Sequence, residues 1–482
     1  MTFLQNQDKP SSSVNVVFAR KSLITTTSIS AFLTPFSSSV LTFAVPEIGY
    51  AFRANFYQLV WIPILILFPL PSFMILLGKL SDVYGRVKMY RVGTLLFATS
   101  AIAAFYSPSL IALDALAFLM GVGAALISTN STALITQAFR NRGRGFALGI
   151  NAMSVYLGLT MAPFAGGFLI QVFGWRSVLL VNAPLSLAAF IISLYSMKDL
   201  ELEIYNEEID ITGAVTFVLF LISIVLFLSV TEIYGYMYSD YIIPEITLLF
   251  ILFLFVERRS KNPLIDVNLF LKNRTFTASN ITALLNYIAT YSIVFVFTIY
   301  LQVILGISPE ISGLILVAEP VFMVIFSPLS GLLAERYGSK ILASLGMLLI
   351  GFAFLMLYIL DLKNIVNIVL SLSVLGIGFG LFSAPNTNSV MGSAPPGKYG
   401  LASGTLGTMR FTGQLLSVTI ASLFLASSMS RKMLLSMFSG FYVQSSTLYY
   451  IYFMSGLKAM MLFSAIISFI GAYTSLMKNK GE

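Results

Sequence analysis

The chain consists of long apolar runs separated by short polar segments. Several runs, such as 341–360 and the region around 217–230, reach the roughly 20 residues that a helix needs to cross a hydrocarbon core of about 30 Å. Lipid offers no hydrogen-bond partners to an open backbone, so spanning segments are expected to be helical. The pattern shows no segments of about ten alternating residues, which a closed barrel would need. It therefore predicts an all-α integral membrane protein.

Fourteen apolar runs are predicted to be membrane spans. Placing the N-terminus inside puts most of the 28 Lys and Arg residues on the inner side, which fixes the orientation by the positive-inside rule. An even number of spans then leaves both termini in the cytoplasm. The predicted spans are 22–48, 57–80, 88–106, 110–138, 145–170, 175–197, 211–231, 241–257, 275–303, 310–334, 340–360, 364–390, 400–426 and 447–477.

Two glycine-containing patterns recur along the chain. "GKLSDVYG" at 78–85 matches "GLLAERYG" at 331–338, a shift of 253 residues. "GVGAALIS" at 121–128 matches "GIGFGLFS" at 376–383, a shift of 255 residues. Because transporter folds are commonly built from duplicated halves, the repeats predict two similar bundles.

The predicted architecture has 14 transmembrane helices arranged as 6 + 2 + 6. The expected parts are a cytoplasmic tail at 1–21, a six-helix bundle at 22–197, a two-helix insertion with cytoplasmic loops at 198–274, a second six-helix bundle at 275–477 and a cytoplasmic tail at 478–482.

Composition narrows the chemistry further. The chain is 57% hydrophobic and 10% charged, and it has no cysteine and no histidine. It therefore has no thiol nucleophile, thiolate metal site or imidazole, and we expect neither a metal nor a cofactor. It has no phosphate-binding loop for ATP, and no set of carboxylates converges as in an enzyme. The net charge of +8 is attributed to topology, and not to nucleic acid.

Three motifs carry a resemblance to a known family. "GKLSDVYGRVK" at 78–88 resembles the signature G-x-L-x-D-x-x-G-R-x-x between spans two and three of the major facilitator superfamily. "GLTMAPFAGG" at 158–167 resembles the antiporter motif G-x-x-x-G-P-x-x-G-G, with Ala162 at its second glycine. "GWRSVLLVNAP" at 174–184 resembles the entry to span six. The chain is thus similar to the fourteen-span drug/proton antiporters, which export compounds of the multidrug efflux type.

The chain departs from that branch at two positions. Ser37 stands where span one usually has an acidic residue, and Ala117 stands where span four usually has an arginine. Both positions are associated with proton coupling in the family. Coupling is therefore the property that the resemblance supports least.

The first motif and its repeat form a polar region between apolar runs, which we call the inner latch. In the family this region holds the cytoplasmic ends of the bundles together while the outer side is open. The alternative is that these residues only end helices and orient the loop. The inner latch comprises Gly78, Asp82, Gly85, Arg86, Glu335 and Arg336.

The second motif places small residues and a proline in span five. Small residues let helices approach closely, and a proline in a helix removes a backbone donor. In the resembling antiporters this region seals the outward gate, whereas the alternative is static packing. The gate helix residues are Gly158, Pro163, Gly166 and Gly167.

Charged residues inside the predicted spans are few. Glu319 lies near the middle of span ten, Asp114 near the outer end of span four, and Arg410 within span thirteen. A charge at the bilayer centre costs about 3 kcal/mol, so such residues are expected to face an interior cavity. Glu319 is the first candidate for binding a proton or a cationic substrate, and an ion pair with Arg410 is the structural alternative.

Span nine adds polar and aromatic residues to an otherwise apolar helix. Asn286 and Thr290 share one face by their i, i+4 spacing, and Tyr287 and Tyr291 lie beside them. A pocket of this composition suits bulky amphipathic molecules. Hydrogen bonds between helices are the alternative role for the asparagine.

These observations and the resemblance predict a secondary active transporter. It is expected to act as a monomer in the lipid bilayer of the cell membrane and to export a small hydrophobic or amphipathic compound by alternating access, in exchange for protons. A metabolite carrier that works by facilitated diffusion, without protons, is the alternative. A membrane enzyme is not expected, because the chain lacks the residues that its chemistry would need. A sensor is not expected either, because the soluble stretches of the chain are too short for an output domain.

Overall fold

A computed structural model describes residues 10–138, 144–197, 210–234, 239–260, 267–394, 399–437 and 447–478. In these parts of the chain all regular structure is helical, and a helix occurs at each of the fourteen predicted spans. Residues 139–143 and residues 198–209, which hold the predicted start of the insertion, lie outside the described residues. The same is true of the tail residues 1–9 and 479–482.

The helices fall into two sets, which we call the first half and the second half, with three helices between them. The first half contains α1 (Pro10–Phe43), α2 (Val45–Phe52), α3 (Phe56–Leu59), α4 (Trp61–Leu67), α5 (Pro69–Tyr84), α6 (Arg86–Phe105), α7 (Leu110–Ala138), α8 (Arg144–Phe173), α9 (Ser177–Leu180) and α10 (Asn182–Ser196). The helices between the halves are α11 (Ile211–Tyr234), α12 (Ser239–Arg259) and α13 (Val267–Lys272).

The second half begins with α14 (Arg274–Thr290) and α15 (Ile293–Thr298), which a π-helical turn extends over Ile299–Ile304. It continues with α16 (Pro309–Leu316), α17 (Ala318–Tyr337), α18 (Ser339–Ile359), α19 (Ile365–Gly392), α20 (Tyr399–Ser428), α21 (Arg431–Ser436) and α22 (Thr447–Leu476). We call the end of the protein that carries the α5–α6 connection the inner end, following the predicted orientation, and the opposite end the outer end.

Among the described residues, ten helical segments are long and apolar enough to cross a membrane, or eleven if the bent pair α1 and α2 is one span. Three predicted spans fall short of that standard. Helix α6 starts with several basic residues, and in α11 the side chains are described only for Thr212–Phe227, a stretch that is apolar but too short to cross a membrane alone. Helix α12 carries acidic residues near both ends and two arginines in its last turn. The protein is therefore a multi-pass membrane protein, and the count of fourteen spans stays a prediction.

Several predicted spans are interrupted in the structure. Span one bends by 50° between α1 and α2, where Pro46 lacks the N–H that would continue the helix. Span nine breaks at Tyr291 and Ser292, and span ten breaks at Val317. Hydropathy does not reveal such breaks, because the residues on either side of each one are equally apolar. Helix α1 also begins at Pro10, within the predicted tail.

Large apolar side chains lie exposed along the outward faces of the helices. Phe168, Ile191, Leu248, Ile325 and Ile359 are each at least 45% exposed. A soluble protein rarely leaves so much contiguous apolar surface in water. Lipid-facing surface is the physical explanation for these side chains in a chain of this hydropathy.

The two halves repeat the same turn. Gly85 connects α5 to α6 with φ of 95°, and Gly338 connects α17 to α18 with φ of 84°. Backbone with positive φ of this size is unfavourable for a residue with a Cβ atom. The glycines at the ends of the duplicated motif therefore have a backbone role in both halves.

The halves also repeat the same helix crossings. A methyl group at Gly93 would lie 2.6 Å from Leu126 Cβ, and one at Gly123 would lie 3.0 Å from the Gly93 oxygen, so α6 and α7 touch at their backbones. In the second half, a methyl group at Gly346 would lie 2.6 Å from the Gly378 oxygen, where α18 crosses α19. Positions 93 and 346 differ by 253 and positions 123 and 378 by 255, the shifts found in the sequence. These contacts support the duplication.

The helices between the halves differ in their surroundings. Helix α11 packs against α5 of the first half and α20 of the second half, and also against α12. Helix α12 packs against α11 and α13. The first of the two extra helices therefore lies against both halves at once.

Candidate functional site

At the outer end, the two halves meet through a reciprocal backbone contact between α8 and α16. A methyl group at Gly167 would lie 2.5 Å from the carbonyl oxygen of Pro309, and a methyl group at Gly313 would lie 2.2 Å from the carbonyl oxygen of Pro163. Neither distance leaves space for a side chain. We call these four residues the outer contact, and it closes this part of the interface between the halves.

The other two gate helix residues face a different neighbour. A methyl group at Gly158 would lie 2.4 Å from the Phe32 oxygen, and one at Gly166 would lie 2.8 Å from Val40 Cγ2. Both contacts are with α1, inside the first half. The motif therefore has two sides, one that packs on α1 and one that reaches the second half. The sequence did not identify Gly313 as a neighbour of this motif.

Nearer the middle of the protein, tyrosines hydrogen-bond across the interface. The Tyr156 hydroxyl of α8 bonds with the Ser383 hydroxyl of α19. The Tyr291 hydroxyl donates to Ser38 Oγ on α1 at 3.0 Å. Each bond joins the first half to the second half. The serines are buried and the tyrosines half-buried, so these tyrosines line the space between the halves.

Arg410 belongs to the same region. Its Nη2 donates to Thr387 Oγ1 of α19 at 2.6 Å, and its guanidinium and the Tyr156 hydroxyl both lie within electrostatic range of the Tyr287 hydroxyl. The Tyr287 ring packs edge-on against Phe379, with ring centroids 5.5 Å apart. The structure thus groups several residues from α8, α14, α19 and α20. We call this group the central cluster, and it comprises Tyr156, Tyr287, Tyr291, Phe379, Ser383, Thr387 and Arg410.

Glu319 lies outside the central cluster, toward the outer end. A methyl group at Gly376 would lie 2.1 Å from the Glu319 carbonyl oxygen, which fixes the level of Glu319 beside α19. Thr387, the partner of Arg410, follows eleven residues later, about 16 Å along the helix axis. The structure therefore does not form the ion pair between Glu319 and Arg410 that was the alternative for this carboxyl group.

The Glu319 side chain is only 9% exposed. Among the residues that the structure describes, no hydrogen bond or ion pair of this side chain is formed. Ile66 is its counterpart in the first half, because a methyl group at Gly121 would lie 2.5 Å from the Ile66 oxygen. The carboxyl group is therefore specific to the second half and has no packing equivalent in the first.

Asp114 and Asn286 are both separated from the central cluster. One carboxylate oxygen of Asp114 is buried near the outer end of α7 without a hydrogen-bond partner among the described residues. The Asn286 amide donates to Met347 Sδ of α18 at 3.3 Å, and Asn286 is fully buried. Asn286 thus packs within the second half, which favours the role in helix packing over a role in the pocket.

At the inner end, the structure describes part of the inner latch. A methyl group at Gly78 would lie 3.0 Å from Thr129 Cγ2, so α5 and α7 are close at this level. The guanidinium of Arg336 lies 5.5 Å from the centroid of the Tyr337 ring. The side chains of Asp82 and Glu335 lie outside the described residues, although their backbones belong to α5 and α17. The latch role stays a prediction.

One inner residue was not singled out from the sequence. Lys478, just beyond the end of α22, is 3% exposed, and its Nζ donates to Asn386 Oδ1 of α19 at 3.0 Å. Its carbonyl oxygen accepts a hydrogen bond from Lys340 Nζ at 2.8 Å. Burial lowers the pKa of Lys478 to about 7. A lysine near a chain terminus usually lies in water, so only the fold reveals this one.

Replacing Lys478 with methionine is expected to stabilise the protein most below pH 7. Between about pH 7 and the ordinary pKa of 10.5, the unfolded chain holds a proton on Lys478 that the folded chain lacks. Stability of the wild type should therefore rise with pH through this window. Lys478→Met should remove that rise and increase the apparent melting temperature at pH 6 by at least about 3 °C. The measurement is the loss of monodisperse protein on heating at pH 6 and at pH 9.

The matched control is Lys88→Met, because Lys88 is exposed on α6. This variant should keep the pH dependence of the wild type. A wild type whose melting temperature is equal at both pH values, or a Lys478→Met variant that keeps the same rise, would contradict the assignment of a largely uncharged lysine.

No metal centre is evident in the described residues, since none of them form a group of three or more potential metal ligands. The described polar groups of the central cluster are hydroxyl groups and the Arg410 guanidinium. This chemistry suits recognition of an organic molecule by hydrogen bonds, aromatic contacts and charge.

Comparisons with known proteins give consistent results. The model of the Major Facilitator Superfamily matches residues 27–418 and 279–479. The riboflavin transporter RibZ of Clostridioides difficile is 27% identical over 410 residues, which cover 83% of this chain and 87% of that protein. The multidrug resistance protein Stp of Mycobacterium tuberculosis is 28% identical over 412 residues, or 84% of this chain and 75% of that protein.

The chain is also similar to an export protein in sequence and to a solved transporter structure in fold. The tetracenomycin C resistance and export protein of Streptomyces glaucescens is 26% identical over 393 residues, which cover 81% of this chain and 73% of that protein. The crystal structure of a bacterial homologue of the human lysosomal transporter Spinster superposes with a TM-score of 0.66 at 15% identity, covering 98% of this chain and 97% of that chain. At that identity the second similarity shows the fold alone.

Proposed function

Because the chain belongs to the major facilitator superfamily, it is a membrane transport protein and not an enzyme, and we propose that it exports small hydrophobic or amphipathic compounds by alternating access, in exchange for protons. The central cluster is the proposed binding site. The relatives named for multidrug resistance and for tetracenomycin C export support outward transport of such compounds. We place the protein in the cell membrane with both termini in the cytoplasm, acting as a monomer.

One observation carries the proposal. Residues of both halves meet around the central cluster, while the outer contact closes the interface above it through glycine and proline backbones. Alternating access needs a site between two rigid bundles and a closure on one side of it. Opening the outer contact while the inner latch closes would expose the same site to the other face.

The proposed substrates follow from the lining of the site. Tyr156, Tyr287, Tyr291 and Phe379 offer aromatic rings, which stack on planar apolar molecules. The hydroxyl groups offer hydrogen bonds that orient a ligand between the halves. Amphipathic compounds present both kinds of surface, whereas a strongly hydrated solute would gain little from the rings.

Glu319 is the proposed proton-binding group. Ionisable residues within membrane spans are costly and commonly belong to ion or proton pathways. Glu319 has no fixed partner among the described side chains, so its charge state can change without breaking an ion pair there. Resembling antiporters have charged residues in spans one and four, where this chain has Ser37 and Ala117. The Glu319 carboxyl group is therefore the main candidate.

Proteoliposomes test the coupling to protons. We expect a pyrene derivative to accumulate beyond equilibrium when the lumen of liposomes with inverted protein is made acidic, because outward proton flow would then drive uptake. Nigericin with potassium, which collapses the pH gradient, should abolish the accumulation. The probe is measured by fluorescence after filtration.

The facilitated-diffusion alternative predicts a different result in the same assay. The probe would equilibrate at the same rate with and without the pH gradient and would never exceed the external concentration. That outcome would refute the exchange for protons while leaving transport in place. A riboflavin control is informative, because one relative is named for riboflavin transport.

A further inference from the structure

Arg410 is a cation without a balancing anion in the central cluster. Its hydrogen bond to Thr387 Oγ1 is to a neutral group, and among the described side chains no carboxylate lies within 4.0 Å of it. The guanidinium is half-buried and cannot lose its proton under physiological conditions. A permanent positive charge therefore faces the space between the two halves.

The nearest acidic residues of neighbouring helices lie at other levels. Glu319 lies at the level of Gly376, about 16 Å along the α19 axis from Thr387, the partner of Arg410. On the other side of Arg410, Gly407 lies against Met74 of α5, since a methyl group there would be 3.1 Å from Met74 Cε. Asp82 follows Met74 by eight residues, about 12 Å toward the inner end, whereas Arg410 lies outward of Gly407. Neither acid is at the level of the guanidinium.

The energetics favour an external partner for this charge. A charged residue at the centre of a membrane span costs about 3 kcal/mol even on lenient insertion scales. Arginine offers a planar fork of donors that matches carboxylate, sulfonate and phosphate groups. Only one of the donors of Arg410 is used by Thr387, so the fork can accept an anionic group of a ligand.

Aromatic rings lie beside this charge. The Arg410 guanidinium and the Tyr156 hydroxyl both lie within electrostatic range of Tyr287, whose ring contacts Phe379 at 5.5 Å. A ligand anion at Arg410 would hold an attached ring system at the level of these side chains. The site thus combines one fixed positive charge with an aromatic wall.

We propose that the transported compounds are aromatic organic anions, whose acidic group binds Arg410 while the ring system packs among Tyr156, Tyr287 and Phe379. This inference rests on the proposed transport function and specifies its substrate class. It distinguishes this protein from a transporter of aromatic cations, because a cation at this site would meet an unbalanced guanidinium. Like-charge contact of that kind disfavours the wrong ligand.

The test compares three probes that share one ring system and differ in charge. They are pyrene-1-sulfonate, (1-pyrenylmethyl)trimethylammonium and uncharged pyrene-1-methanol, and their Kd values for the purified full-length protein in nanodiscs follow from pyrene fluorescence. The wild type should bind the sulfonate at least about tenfold more tightly than the cation. The charges of these ionic probes do not change with pH, so the same probes serve in the transport assay.

Variants assign the preference to Arg410. Arg410→Gln should weaken sulfonate binding about 10- to 100-fold, the range expected for a lost charge-assisted hydrogen bond, and change the Kd of the alcohol less than about threefold. Arg410→Lys should restore part of the sulfonate affinity, because it keeps the charge without the fork. Arg431→Gln, at an exposed arginine of α21, is the matched control and should bind all three probes as the wild type does.

Two results would overturn the inference. One is a wild type that binds the cation as tightly as the sulfonate, and the other is an Arg410→Gln variant that loses all three probes equally, which would make the arginine structural. Proton-driven transport of the cation would uphold the proposed function and refute the anion preference. Arg410-dependent sulfonate binding without any transport would uphold the preference and refute the function.

Discussion

Substituting leucine for Gly167 or Gly313 is expected to abolish transport in a protein that still inserts and folds. The added side chains would start 2.5 Å and 2.2 Å from carbonyl oxygens of the opposite half, so the outer contact could not form. A steric cost of about 3 kcal/mol would reduce the outer-closed population about 100-fold. A transporter that cannot close its outer end cannot complete the cycle. The measurement is gradient-driven uptake of the pyrene probes.

The absence of cysteine from the chain gives a direct readout of the closure. Ser38→Cys introduces a single thiol at a buried position between the halves, where Ser38 receives the hydrogen bond from Tyr291. A membrane-impermeant maleimide added from outside should label this thiol about tenfold faster or more when Gly313→Leu is also present. In the double variant, the rate of thiol labelling therefore reports on the relative position of the halves.

The matched control for this prediction is Gly392→Leu. A methyl group at Gly392 would meet nothing within 4 Å, so the same change of residue there should leave transport and labelling unaffected. Wild-type uptake by the Gly313→Leu variant, at equal amounts of inserted protein, would contradict a closing role for the outer contact. That result would instead favour the alternative role of the gate helix residues, static helix packing.

The outer contact also shows what a sequence can and cannot reveal. The motif at 158–167 predicts a close helix approach, because glycines leave room for a neighbouring backbone. The identity of the partner depends on which helix the fold brings alongside, and no sequence pattern pairs Gly313 with this motif. The sequence therefore predicts half of the contact, and only the structure supplies the other half.

The polar residues of span nine illustrate a second limit. Helical periodicity correctly predicts that Asn286 and Thr290 share a face, and the Thr290 hydroxyl donates to the Asn286 carbonyl oxygen at 2.9 Å. Periodicity does not say which neighbour that face meets. In the structure Asn286 meets α18, the Tyr287 ring packs on Phe379 of α19, and Tyr291 reaches Ser38 of the other half. Hydropathy was enough to predict a helical membrane protein, whereas the site depends on which neighbour each helix face meets.

Glu319→Gln is expected to abolish uptake driven by a pH gradient while preserving exchange of the probe between the two sides. Glutamine has nearly the shape of glutamate and fills the same space against α19, but it cannot bind and release a proton. Gradient-driven accumulation of pyrene-1-sulfonate should therefore fall to the level of liposomes without protein. Counterflow of labelled against unlabelled probe, which needs no net proton movement, should continue.

Glu245→Gln provides the same chemical change at an exposed position of α12, outside both halves. It should keep both activities, so that loss of coupling can be assigned to the buried site and not to the removal of any carboxyl group. Full gradient-driven uptake by Glu319→Gln would show that the carboxyl group is structural. Loss of counterflow together with uptake would instead place Glu319 in ligand binding or in the movement of the halves. Retained counterflow without coupled uptake is the one pattern that a proton-binding role predicts, because that role separates the driving force from the conformational change.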